Sequence, residues 1–143
     1  TLLVGTFPRL VGVDIREVAP NPCFSEWHSP LSFLELEKQE EFDLVVGNPP
    51  YNLAEQFVKR SMYFLKDGGR LMFLLKLAFL ESQRRGNELF ADYPPKKVIV
   101  SMRRISFFKT EKSSTNDVAF ALFLWQKGWI GETTLDWFDY GNV

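Results

Sequence analysis

Asp43-Leu44-Val45-Val46-Gly47-Asn48-Pro49-Pro50-Tyr51 is the stretch that decides how this chain is read. An acid opens a short apolar run, and the run ends in an amide, two prolines and an aromatic ring. Phe42 to Gly47 reads as a strand, and the consecutive prolines freeze the backbone where the strand stops. Open α/β sheets bind ligands outside the carboxyl ends of their strands. A rigid loop at that edge presents the Asn48 amide, the Pro49 carbonyl and the Tyr51 ring to one planar amino group at fixed spacing.

Working outward, Arg9-Leu10-Val11-Gly12-Val13-Asp14-Ile15 reads as a buried strand ending in an acid. Prolines at 20, 22 and 30 exclude a helix between Ala19 and Pro30. Leu31 to Glu37 holds a short strand or a helical turn. After the loop, apolar residues such as Leu53, Phe57 and Phe64 recur at helical spacing, and Lys66-Asp67-Gly68-Gly69 is the stop. Arg70 to Leu77 is a nearly continuous apolar run, as in a strand covered on both faces. Glu81 to Tyr93 reads as helix, Pro94-Pro95 punctuates, and Lys97 to Val100 is β-branched. Phe107 to Asp117 reads as an exposed loop and Val118 to Trp125 as a last strand, with a short polar and aromatic tail after it. The pattern predicts an α/β fold, mostly parallel, with an antiparallel C-terminal hairpin at one end of the sheet.

The 143 residues make one domain's length of chain, and 45% hydrophobic with 15% aromatic content supplies a core. The longest apolar stretch, Leu71 to Leu80, is broken by Lys76 and is too short to cross a bilayer, and no signal pattern opens the chain. A soluble protein of the cytoplasm, in a prokaryotic or phage-infected cell, is expected. One cysteine, Cys23, and one histidine, His28, give no ligand set for a metal, so none is expected. Net charge is −1, yet residues 1–58 hold three basic side chains against nine acidic ones, while residues 59–143 hold fourteen against nine. Arg84, Arg85, Lys96, Lys97, Arg103, Arg104, Lys109 and Lys112 face only Glu88, Asp92 and Glu111 nearby in sequence. That excess suits a polyanion.

Asn48-Pro49-Pro50-Tyr51, behind an acid-initiated strand, ahead of a helix and downstream of a strand ending in Asp14, resembles the signature of the Rossmann-like, S-adenosylmethionine-dependent amino-methyltransferases. It is most similar to DNA adenine-N6 methyltransferases of phage and plasmid type. The resemblance implies direct methyl transfer to the N6 amino group of an adenine extruded from DNA, as used in restriction-modification, replication control or counter-restriction. Asn48 and Pro49 are then the acceptors for the amino hydrogens, Pro50 fixes the loop, and Tyr51 stacks on the base. S-adenosyl-L-methionine is implied as cofactor, with Asp14 and Ile15 at its ribose, Ser32 and Phe33 at its adenine, and Asn48 also beside it. Relatives often carry an Asp-Phe pair where this chain has Ser32-Phe33. Arg84, Arg85, Arg103, Arg104, Lys109 and Lys112 are the implied DNA contacts, and later segments such as Gly68-Gly69-Arg70 and Phe123-Leu124-Trp125 match less specifically.

The family's Gly-rich loop is expected about twenty residues before the acid, but thirteen residues precede Asp14, and Gly5 and Gly12 do not form that loop. The expectation is a partial domain, 1–143, without the family's first strand and Gly-rich loop and with an incomplete cofactor site. Two other acceptors use the same loop chemistry, an RNA base and a protein glutamine amide. A non-catalytic module that kept the fold is the alternative of a different class.

Overall fold

In the computed structural model, the residues described are 9–37, 42–103, 105, 118–139 and 141. They fall into two compact units, Thr1–Gln39 and Glu40–Val143, each described here by itself. In the first, β1 (Val11–Val13) pairs in parallel with β2 (Glu26–His28), Gly12 opposite Trp27. β2 lies inside the stretch that the prolines mark as non-helical, and it is short enough to carry no periodic signal of its own. A 3₁₀ turn at Phe33–Glu35 follows, its first turn capped by Ser32, whose hydroxyl accepts from the Leu34 N–H.

The second unit is built on a five-stranded sheet. Its strands are β3 (Phe42–Gly47), β4 (Leu65–Lys76), β5 (Lys97–Ser101), β6 (Phe120–Gln126) and β7 (Thr134–Phe138), in the order β3-β4-β6-β5-β7. β3 is parallel to β4 and β5 to β7, while β6 runs antiparallel to both β4 and β5. Four strands therefore point one way and β6 the other, so the sheet is mostly parallel, as expected. The two late strands do form an antiparallel pair, but β6 is inserted between β4 and β5, and the outer position belongs to β7. The tail that reads as short and polar is thus an edge strand. Its Leu135 and Trp137 are 58% and 60% exposed, which is why alternation in that segment shows no buried face.

Helix α1 (Ala54–Phe64) supplies the cover of one sheet face. Ala54, Val58 and Met62 recur every fourth residue, form one stripe, and are all buried against Leu71, Phe73 and Leu75 of β4 and Phe123 and Trp125 of β6. Two short helices, α2 (Gln83–Asn87) and α3 (Leu89–Asp92), stand where one was expected, and Leu89 of α3 joins the same core. The Trp125 indole N–H donates to the Tyr93 carbonyl at 3.1 Å, so the largest buried ring leaves no unpaired donor. Helix α1 ends at Phe64, ahead of the expected Lys66-Asp67-Gly68-Gly69 stop, which is folded into the start of β4, where Gly68 takes φ 76° and its N–H donates to the Lys127 carbonyl. A residue with a Cβ resists that left-handed backbone. Among the described residues no helix is long and apolar enough to cross a membrane.

Candidate active site

β3 delivers its loop beside the carboxyl-terminal half of β4, with Gly47 opposite Phe73. A Cβ on Gly47 would lie 3.2 Å from the Phe73 ring, so glycine lets the loop start close against the core. Pro49 is buried, while Asn48 and Pro50 are exposed. The Pro50 carbonyl accepts from the Leu53 N–H at 2.9 Å and turns the chain into a 3₁₀ turn, Tyr51–Leu53, that runs on into α1. The Asn48 side chain and the Pro49 carbonyl make no hydrogen bond to any other described residue. Two adjacent acceptors on a backbone fixed by proline are therefore without a partner among the described residues.

The Tyr51 ring, 36% exposed, packs on the last cross-strand pair of β4 and β6, Lys76 and Phe120. Its centroid is 5.8 Å from that of Phe120, and the Lys76 ammonium lies 4.9 Å from it. Burial pushes the Tyr51 hydroxyl above its ordinary pKa, so the ring is a neutral phenol at physiological pH. Beside it is a cavity of about 170 Å³, lined by Tyr51, Ala54, Leu75, Lys76, Phe79 and Arg85 among others. The aromatic and aliphatic walls suit a flat ring, and among the described residues no acidic side chain lines it.

Asp14 stands in the other unit, just past the carboxyl end of β1. The Leu31 N–H donates to the Asp14 carbonyl at 2.9 Å, which brings Ser32 and Phe33 to the same end of the β1–β2 pair. Ile15 is 70% exposed and Phe33 half-buried. The Arg16 side chain reaches both Asp14 carboxylate oxygens, at 3.0 and 2.8 Å, and the Arg16 backbone N–H donates to Oδ1 at 2.9 Å. These bonds hold the carboxyl at about 2, below the ordinary 3.8. An ionised carboxylate with further lone pairs fits the diol of a ribose, the group that the resemblance assigns to it.

Because the folded pKa is depressed, the Asp14 contribution to stability is present above about pH 4 and is lost as pH falls through about 2. In Arg16→Ala, carbon-detected NMR titration of the Asp14 carboxyl should show the midpoint rising toward 3.8. An unmoved midpoint would mean that Arg16 does not hold it.

Of the basic residues expected to meet DNA, the three that are described, Arg84, Arg85 and Arg103, are engaged within the protein. Arg84 bridges Glu55 and Glu88, and its guanidinium is the main cause holding Glu55 below the usual carboxylate range. Arg85 donates to the carbonyls of Phe79, Ala78 and Glu81 and covers the Phe79 ring. Arg103 pairs with Asp139. Arg104, Lys109 and Lys112 lie outside the described residues, as do Phe107 and Phe108. Trp125 is core, at 1% exposure. Sequence reading passed over Lys76, whose signal is a single cation at the carboxyl end of an otherwise apolar strand. Among the described residues no group of three or more His, Cys, Asp or Glu side chains is placed to hold a metal, and His28 sits 3.1 Å from Glu26.

No family model matches the chain, and no curated protein matches it. Solved structures do. A Listeria monocytogenes protein designated a class I S-adenosylmethionine-dependent methyltransferase superposes with a TM-score of 0.58 at 14% identity, over 90% of this chain and 49% of that one. The N-methyltransferase NodS from Bradyrhizobium japonicum WM9 gives 0.54 at 15% identity, over 83% and 73%. The fold is that of the class I methyltransferases. This chain spans about half the length of the Listeria protein. In its own unit, the loop after β3 stands at the carboxyl end of a parallel strand, and in the other unit the acid after β1 does the same, the kind of position where open α/β sheets bind ligands.

Proposed function

We propose that this chain transfers a methyl group from S-adenosyl-L-methionine to the exocyclic N6 amino group of adenine in DNA, with the base extruded onto the Asn48–Tyr51 loop. The observation that carries the reading is a pair of acceptors without a partner among the described residues, the Asn48 side chain and the Pro49 carbonyl, in the same loop as Tyr51, whose ring lines a cavity. The cofactor, when bound, would supply a methyl group made electrophilic by a sulfonium. The chain's own part is to prepare the acceptor.

The adenine amino nitrogen has its lone pair delocalised into the ring. Asn48 and Pro49 each accept one of its two hydrogens, which draws the nitrogen toward tetrahedral geometry and frees the lone pair. Tyr51 stacks on the base, which is unreachable inside a duplex. The methylated nitrogen becomes a strongly acidic ammonium and releases a proton to solvent, so the loop needs no base of unusual pKa. The basic second half of the sequence supports a nucleic acid over a glutamine amide.

The test is transfer of labelled methyl from S-adenosylmethionine to unmethylated DNA, to RNA and to a glutamine-containing peptide, with the protein expressed from its complete reading frame. Label in DNA is expected. Label in RNA or peptide alone would overturn the DNA assignment, and label in none of the three would overturn the enzymatic one.

A further inference from the structure

The charges of the second unit are mostly satisfied internally. Lys59, Lys66, Arg84, Lys97 and Arg103 each meet a carboxylate, and Lys127 donates to the Leu65 carbonyl. The side chains of Arg70 and Lys76, by contrast, have neither an ion pair nor a hydrogen bond to any other described residue. They stand near opposite ends of the paired stretch of β4, Arg70 opposite Leu44 and Gln126, Lys76 opposite Phe120 at the end where the Asn48 loop lies. Only Lys76 faces the cavity.

Among the described residues, the wall of that cavity holds two cations and no acid. Arg85 is consumed by three main-chain carbonyls and the Phe79 ring. Among the described residues, the Lys76 ammonium is met only by the face of Tyr51, at 4.9 Å. A half-buried positive charge without a counter-ion among the described residues, on a flexible stem beside the ring assigned to the base, is complementary to an anion that arrives with that base. We infer that Lys76 binds a backbone phosphate next to the nucleotide whose base stacks on Tyr51. The inference rests on the reading of the loop given above and deepens it. It makes the substrate a phosphodiester chain, because a neutral glutamine amide brings no anion to this position.

Each phosphate neutralised on duplex DNA contributes about 0.9 to the slope of log K against log salt. Binding of a fluorescein-labelled DNA duplex, followed by anisotropy from about 50 to 200 mM salt, is therefore the experiment, with the protein expressed from its complete reading frame. Lys76→Met should flatten the slope by about 0.9, Lys76→Arg should keep it, and Arg70→Met should leave it unchanged. Lys76→Gln, which retains a polar stem, carries the same expectation if the methionine variant melts early. Weaker binding with an unchanged slope in both neutral variants would overturn the inference and leave Lys76 as packing for Tyr51. An equal flattening in Arg70→Met would overturn it too, by showing a diffuse field in place of a contact. Failure of the unmodified protein to bind DNA would remove the inference and the DNA reading together, whereas binding with unchanged slopes removes the inference alone.

Discussion

Asn48→Ala should lower kcat for methyl transfer about 10² to 10³-fold while leaving the folded protein as stable as before, within about 0.5 kcal/mol. The two halves of this expectation have separate grounds. Asn48 is exposed and its side chain bonds to no other described residue, so its removal leaves no orphaned partner in the protein. The reacting amino group, in contrast, loses one of two acceptors whose pull strengthens as the nitrogen becomes tetrahedral. An interaction made mainly in the transition state lowers kcat more than it raises KM. Steady-state kinetics beside a thermal melt check both halves. A rise in KM at constant kcat would reassign Asn48 to ground-state binding.

Phe123→Ala should cost about 3 to 5 kcal/mol, a large part of the roughly 5 to 15 kcal/mol by which such domains are stable. Phe123 lies on β6 at 0% exposure. Its ring stacks on Trp125 at 5.7 Å and meets Phe79 edge-on at 5.6 Å. Because β6 is the antiparallel strand between β4 and β5, shortening this side chain opens a cavity under the middle of the sheet, where neighbours on both sides are already fixed by register. Urea unfolding is the measurement. A cost below about 1 kcal/mol would contradict the central position given to β6.

What the sequence made legible follows from which signals are local. β3, β4, β5 and β6 are apolar or β-branched runs bounded by prolines, glycines or polar loops, and α1 carries its buried stripe at every fourth residue. Strand order is a different kind of information. Nothing within 97–126 says that the last of its strands turns back to lie beside β4, because that choice is made by packing across the sheet. β2 and β7 escaped notice because each is short and exposes much of its side-chain surface. The candidate site divides in the same way. The Asn48–Tyr51 loop is contiguous, so its chemistry can be read from four letters. The basic clusters could be named as candidates for DNA contact but not weighed, because a sequence shows charges without their partners. Arg84 meets Glu55 and Arg103 meets Asp139 only after folding. Lys76 is the converse case, a solitary cation whose meaning depends on the ring that α1's entry turn lays over it.

The most direct test of the central claim is mass analysis of the nucleosides released from DNA after incubation with the protein and S-adenosylmethionine carrying a heavy methyl group. The account predicts N6-methyladenine carrying the heavy methyl, absent when Asn48 is replaced by alanine. Heavy methyl on cytosine, or DNA that returns no methylated base under conditions where the protein binds it, would contradict it.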